Sequence, residues 1–263
     1  MRKYLVIGNP IKHSLSPELH NHWIRQNNIN AIYEKEKLNN DELENLILDI
    51  KKEKIHGANI TVPFKNTVIT YLDELSDEAK KTQSVNTIFL KNKKVVGYNT
   101  DIEGFIMAIK KINFNFNNKK IFILGAGGVV PSIIYASMKM GSSEIIISNR
   151  TKNKAEKLRN IFENIKVVNW GDMPNFDVVI NATSIGLNKD DKINLDFSKI
   201  GKNKLFYDVV YNPNPTEFLQ TAKKLGNKYE NGKLMFIYQA FSAFKLWHDV
   251  EPLINNETIK LLD

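Results

Sequence analysis

Residues 121–130 read Ile-Phe-Ile-Leu-Gly-Ala-Gly-Gly-Val-Val, a continuous apolar run that empties into glycines just before a helical pattern. An apolar run of strand length, stopped by glycine and followed at once by a helix, is how a parallel α/β unit begins. Gly125 permits a tight turn that other residues resist, and Gly127 and Gly128 leave the backbone bare enough for a phosphate to approach. The helix that follows offers unpaired N–H groups and the positive end of its dipole. Gly125, Ala126, Gly127, Gly128 and Val129 are therefore candidate dinucleotide contacts, with a purely structural β–α turn as the alternative. Pro131 fits this reading, because in a first helical turn proline displaces no internal hydrogen bond. The uncharged run from Ile121 to Met138 has the length of a membrane span, but Gly125, Gly127, Gly128 and Pro131 interrupt it.

The next β pattern, residues 144–148, ends in Asn149-Arg150-Thr151. A site for NAD generally places an acidic side chain here to take the ribose 2′-hydroxyl, whereas a basic one suits a 2′-phosphate. Arg150 is one of only four arginines, the others being Arg2, Arg25 and Arg159. Its planar fork binds phosphate better than an ammonium does. Lys154 adds charge from the first turn of the following helix. Asn149, Arg150, Thr151 and Lys154 thus favour NADP(H), against the alternative of an arginine that merely begins a surface helix.

Short β patterns at residues 4–8, 31–35, 57–62, 85–90 and 93–99 alternate with helical ones, which predicts mostly parallel sheets. Ser16 is expected to cap a helix that starts at Pro17 and runs through Trp23. Leu43, Leu46, Ile47 and Ile50 form one face of a helix over residues 41–52. A helix is predicted over residues 77–83, a hairpin turn at Lys91-Asn92, and a helix after Thr100-Asp101 through Met107. A second unit begins near Lys119, with strands at 120–124, 144–148, 166–169, 178–181 and 205–209 and helical stretches between them. The apolar helix at residues 236–247 is expected to pack back on the first domain, and the Asn/Lys-rich residues 113–120 to serve as the hinge.

The net charge of +8 raises nucleic acid as a partner, but the lysines are scattered among asparagines rather than gathered in an arginine-rich stripe. There is no cysteine, which removes disulfides and thiolate chemistry and fits a reducing cytoplasm. No secretory leader is read at the start, where Gly8-Asn9-Pro10 breaks a short apolar stretch. His20 and His22 fall on different helical faces, so no metal pair is expected. Trp23, Trp170 and Trp247 read as packing residues.

Several stretches together resemble the shikimate dehydrogenases: Ser14-Leu-Ser-Pro, Asn59-Ile-Thr-Val-Pro-Phe-Lys65, Ser84-Val-Asn-Thr and Gly97-Tyr-Asn-Thr-Asp101. Gly125-Ala-Gly-Gly, Asn149-Arg-Thr, Asn181-Ala-Thr-Ser-Ile-Gly-Leu, Tyr211-Asn-Pro and Tyr238-Gln239 continue the likeness, in order and over nearly the whole chain. The resemblance implies an α/β fold of two domains. One is an N-terminal substrate domain over residues 1–101, completed by helices in 237–263. The other is a Rossmann-type NADP-binding domain over residues 102–236. It implies that Ser14 and Ser16 bind the substrate carboxylate, that Thr61, Asn86, Tyr211 and Gln239 touch substrate, and that Lys65 and Asp101 are the catalytic pair. Asp77, Val209 and Gly232 match positions near the cofactor. The implied reaction is the NADPH-dependent, reversible reduction of 3-dehydroshikimate to shikimate on the route to chorismate and the aromatic amino acids. The expected setting is a cytoplasmic monomer or homodimer, without metal, nucleic acid or membrane.

The residue types make chemical sense, because hydride reduction of a ketone leaves an alkoxide that needs positive charge and a proton. Read singly, the same residues have plainer roles: Lys65 a solvated charge, Asp101 a helix N-cap, Ser16-Pro17 a helix start and Asn86 a turn cap. The chain departs from the family pattern at Gln239-Ala240-Phe241, where Ala240 adds a methyl. It departs also at Asn231-Gly-Lys-Leu-Met and at Val129-Val130-Pro131. A quinate or dual-specificity dehydrogenase, and a cofactor-sensing protein without turnover, are the competing functions.

Overall fold

A computed structural model of the chain describes residues 1–188 and 191–262. The chain divides into two units, Met1–Gly104 with Ile237–Asp263, and Phe105–Phe236. The division falls between residues 104 and 105, inside a helix, and ahead of the Asn/Lys-rich stretch where a hinge was expected.

The first unit begins with β1 (Arg2–Gly8), α1 (Ser16–Gln26), β2 (Ala31–Lys37), α2 (Leu43–Lys51) and β3 (Gly57–Ile60). It continues with β4 (Glu74–Leu75), α3 (Asp77–Thr82), β5 (Thr87–Lys91), β6 (Lys94–Tyr98) and α4 (Thr100–Lys111). Its sheet has the order β2-β1-β3-β5-β6-β4. Strands β2, β1 and β3 are parallel and β4 is parallel to β6, in keeping with the expectation of mostly parallel pairing, whereas β3, β5 and β6 are antiparallel neighbours. The cause is local. Asn92 and Lys93 both take positive φ, 51° and 65°, and make a two-residue hairpin turn one step later than Lys91-Asn92. Leu43, Leu46, Ile47 and Ile50 of α2 are buried as their spacing predicts, in one cluster with Leu5, Ile7, Ala58, Ile60 and Ile88.

Ser16 does not cap α1. The helix starts at Ser16 with Leu15 in the cap position and no side-chain cap bond, while the Ser16 N–H donates to Ser14 Oγ at 3.3 Å. The Ser14 hydroxyl has taken the local role expected of Ser16.

α1 packs with the C-terminal helix α8 (Lys233–His248), whose residues from 237 onward belong to this unit. His20 lies flat on Tyr33 with ring centroids 4.2 Å apart, edge-on to Trp23 and beside Trp247. Trp23 Nε1 donates to the Leu253 carbonyl at 3.1 Å. Burial in this aromatic nest holds the His20 imidazole down to about 3 and lowers that of His248 to about 4. A histidine depressed from 6.5 stabilises the fold above that pH, and the contribution is lost as pH falls toward 3–4. His20→Phe keeps the stacking and removes the titrating group, so its acid-unfolding midpoint is expected at lower pH than the parent's. Circular dichroism against pH checks this, and coincident curves would count against it.

The second unit contains β7 (Lys120–Leu124), α5 (Val130–Lys139), β8 (Glu144–Ser148), α6 (Lys152–Leu158) and β9 (Ile165–Val168). β10 (Val178–Asn181), β11 (Leu205–Asp208), α7 (Glu217–Lys224) and β12 (Lys228–Glu230) follow, and the short α9 (Asn256–Lys260) ends the chain in the first unit. The sheet is parallel throughout, in the order β12-β11-β10-β7-β8-β9. From central β7 the chain steps outward through β8 and β9, then returns to β7 and steps the other way. That order creates a crevice between β7 and β10, where ligands bind in open α/β sheets. Two expected crossover helices are missing: no helix stands between β9 and β10, nor among the described residues between β10 and β11. Phe122, Phe176, Phe206 and Phe218 fill the core on one face, with Trp170 packed at its edge.

Candidate active site

In the first unit, the segment after β3 passes through a cis Val62–Pro63 bond and a fully buried Phe64 to Lys65. The Val85 N–H donates to the Lys65 carbonyl at 2.8 Å, which fixes Lys65 beside the approach to Asn86. Asp101 lies in the first turn of α4 rather than at its cap. Its carboxylate instead accepts from Lys65 Nζ at 2.5 Å and from Asn86 Nδ2 at 2.9 Å. Lys65 and Asp101 are only 8% and 5% exposed, so neither is a solvated surface charge. Asn86 is more than a turn cap. Its Oδ1 accepts the Thr100 N–H at 2.7 Å, and its Nδ2 lies 2.9 Å from Thr100 Oγ1 and 3.5 Å from Gln239 Oε1.

This cluster joins buried Lys65, Asp101 and Asn86 with half-buried Gln239 in one network. Ser14 and Ser16 form a separate pair, with the Ser14 hydroxyl donating to Ser16 Oγ at 3.2 Å. The Tyr33 hydroxyl donates to Asn59 Oδ1 at 2.7 Å. Asn59 Nδ2 donates to the Asn86 carbonyl and to Thr87 Oγ1. Tyr33, Asn59, Thr87 and Thr100 thus extend the polar network around Asn86 and the ion pair, and none of the four is among the expected site residues. A signal existed for Asn59, a polar residue inside an otherwise apolar strand. Thr61 follows β3, its N–H donating to the Ile7 carbonyl at 2.9 Å. Ala240, the added methyl, is fully buried in this unit.

In the second unit, Gly125 has φ +116°, and a Cβ there would stand 2.8 Å from the Ala182 carbonyl oxygen. Only glycine serves this turn between β7 and the chain after β10. Ala126, Gly127, Gly128 and Val129 follow, with Gly127 and Gly128 exposed. α5 starts with Val129 at its cap, Pro131 in its first turn and no side-chain cap bond. A bare glycine loop leading into a helix without a side-chain cap is chemically suited to a pyrophosphate. The Gly125 N–H donates to the Ser148 carbonyl at 2.8 Å, which brings the Asn149-Arg150-Thr151 loop next to it. Asn149 Nδ2 ties that loop by donating to the Thr151 carbonyl, while Arg150, Thr151 and Lys154 are exposed. These residues fit a phosphorylated dinucleotide.

Val209 and Gly232 come together at the neighbouring strand ends. A Cβ on Gly232 would lie 2.0 Å from the Val209 carbonyl oxygen and 2.7 Å from its carbon. Gly232→Ala therefore has to move backbone and is expected to cost about 3 kcal/mol of stability. Gly127→Ala, whose nearest neighbour would be 4.0 Å away, is the control for urea unfolding, and equal midpoints would refute the expectation. Asp77 belongs to the first unit, exposed at the start of α3, and Tyr211 to the second, its ring 5.0 Å from that of Phe236.

Comparison with known proteins shows the family to which the chain belongs. The "Shikimate dehydrogenase substrate binding domain" family matches residues 6–88, and the "Shikimate / quinate 5-dehydrogenase" family matches residues 107–213. A shikimate dehydrogenase (NADP(+)) of Pelagibacter ubique is 56% identical over 262 residues, covering 100% of this chain and 99% of that protein. The chain belongs to the shikimate dehydrogenase family. The crystal structure of shikimate dehydrogenase from Aquifex aeolicus superposes with a TM-score of 0.91 at 37% identity, covering 100% of this chain and 97% of that one. Shikimate 5-dehydrogenase from Thermus thermophilus, solved with NADP(H) and shikimate, gives 0.89 at 28% identity, with 100% and 98% covered. The family's α/β fold, a substrate-binding domain followed by a dinucleotide-binding one, is therefore that of this chain.

Among the described residues no group of three or more His, Cys, Asp or Glu side chains could hold a metal ion. No helix there is long and apolar enough to cross a membrane.

Proposed function

We propose that this chain is an NADP-dependent shikimate dehydrogenase, interconverting 3-dehydroshikimate and shikimate with NADPH or NADP. The buried Lys65–Asp101 pair, bonded to Asn86, which in turn meets Gln239, inside a chain of this family, is the observation that carries the reading. When bound, the nicotinamide gives the hydride to the substrate ketone or takes it from the alcohol. Lys65 holds donor hydrogens beyond the one directed at Asp101, and presents one to the oxygen that becomes an alkoxide. Asp101 orients the ammonium and accepts from a neighbouring substrate hydroxyl. Ser14 and Ser16 take the substrate carboxylate, and Thr61, Asn86, Tyr211 and Gln239 take its remaining polar groups. Gly125 to Val129 bind the pyrophosphate, Asn149, Arg150, Thr151 and Lys154 the 2′-phosphate, and Asp77, Val209 and Gly232 border the cofactor. The domains of this reading run over 1–101 with 237–263, and over 102–236. The enzyme acts in the cytoplasm as a monomer or homodimer on a small-molecule substrate.

The test is steady-state oxidation of shikimate with NADP by the purified chain, with quinate and NAD as competing arms. A kcat/KM for shikimate and NADP above all other combinations is expected. Preferential turnover of quinate, or of NAD, would replace the corresponding half of the proposal, and no turnover of either alcohol would end it.

A further inference from the structure

The mechanism leaves one buried acid unused. Asp208 ends β11 with no exposed surface, and no cation among the described residues is bonded to it. Its Oδ1 accepts from Asn181 Nδ2 at 2.9 Å and from the Val210 N–H at 3.0 Å, and its Oδ2 accepts from Thr216 Oγ1 at 2.6 Å. Burial pushes the carboxyl up to about 7, against the pull of these three donors. Each partner has a second duty. Asn181 Oδ1 accepts from the Thr183 N–H and hydroxyl, and Asn181 Nδ2 also donates to the Ile185 carbonyl, so it shapes the turn after β10. Ala182 in that turn is the residue against which Gly125 closes. Val210 lies between Val209, on whose carbonyl Gly232 packs, and Tyr211. Thr216 caps α7 by accepting the Leu219 N–H, and its methyl faces Gly186.

We infer that Asp208 is a positioning residue for the dinucleotide: one carboxylate pins the turn after β10 and the segment after β11, which wall the crevice beside Gly125. It touches neither cofactor nor substrate, and it acts through the backbone that both walls present. This rests on the proposed function for the identity of the dinucleotide. A carboxylate suits the post because all three partners are donors, and an amide can accept on only one of its two atoms. Asp208→Asn thus keeps the shape and the Oδ1 bonds but turns an N–H₂ toward Thr216. Asp208→Ala leaves all three donors unanswered.

The experiment is direct titration of NADPH fluorescence on the full-length chain, read beside KM for NADP, KM for shikimate, kcat and thermal unfolding. Asp208→Ala is expected to weaken NADPH binding about tenfold or more, with a larger rise in KM for NADP than fall in kcat, and Asp208→Asn to recover much of the loss. Loss of folded molecules alone would lower kcat and leave the dissociation constant unchanged, and that pattern would overturn the inference. Where Asp208→Ala does not fold, Thr216→Val removes the Oδ2 partner and carries the test: an unchanged NADPH dissociation constant there has the same force. A parent chain that binds NADPH while both variants bind it equally well defeats this inference alone. A parent that does not bind NADPH defeats it together with the cofactor half of the proposed function.

Discussion

Shikimate oxidation with NADP slows by about 10²–10⁴-fold when Lys65 becomes alanine, the span that a positioned proton-transfer group contributes. The loss falls on kcat, because the ammonium matters most where negative charge develops on the reacting oxygen. Lys65 Nζ sits 2.5 Å from Asp101 Oδ2 with both side chains nearly enclosed, so no solvent cation replaces it. NADPH binding, measured by fluorescence, stays within about twofold on the same reasoning. Unfolding has to be measured alongside, since removing one member of a buried ion pair costs about 3–5 kcal/mol. Asp101→Asn is the gentler companion. Its Oδ1 still accepts from Asn86, while the N–H₂ that replaces Oδ2 can no longer accept from Lys65, so the charge and the bond facing Lys65 disappear together. Equal rates in the parent, Lys65→Ala and Asp101→Asn would sink the catalytic assignment.

The second large effect concerns cofactor choice. Arg150→Asp is expected to lower kcat/KM for NADP by about 100-fold, the loss of a charge-assisted contact with repulsion added. It is expected to raise the value for NAD, since the new carboxylate can accept from a ribose 2′-hydroxyl. Arg150 is exposed between β8 and α6, so the change leaves packing alone and thermal stability is a clean control. The NADP effect also fades at high salt in the parent, because exposed charge pairs are screened. An unaltered NADP-to-NAD ratio would transfer the 2′-phosphate to Lys154 or elsewhere.

Features with a local cause were legible in the sequence. The β7–α5 turn was read correctly because the positive φ at Gly125 demands glycine locally, and the approach of Ala182 in the folded sheet adds a second demand for the same residue. The α2 face was read from spacing alone. Two misreadings, Ser16 as cap and Lys91-Asn92 as turn, were each off by one or two residues, where neighbouring polar side chains compete for the same role. The two- and three-residue strands β4 and β12 were missed, since so few residues set up no period. The irregular links before β10 and β11 were assigned helices on the general habit of parallel sheets.

The polar network was the least legible part. Tyr33 meets Asn59 across 26 positions, and Asp208 meets Asn181 across 27, so neither pairing leaves a mark in local sequence. Resemblance named Lys65, Asp101 and Asn86. Folded geometry added what holds them: the Val85 bond to the Lys65 carbonyl and the Thr100 bond to Asn86.

The division of the chain bears on how the protein is made. The unit over Phe105–Phe236 is one contiguous segment, and as domains fold in turn during synthesis it can fold while the remaining residues are still inside the ribosome. The unit carrying Lys65 and Asp101 cannot finish until the last helices emerge. Gln239 must reach Asn86, Trp247 must join Tyr33 and His20, and the Leu253 carbonyl must receive Trp23. A nascent chain therefore completes the unit over Phe105–Phe236 first and the unit carrying Lys65 and Asp101 last. Arrest of translation before residue 237 leaves an apolar α1 face uncovered, the kind of surface that chaperones hold.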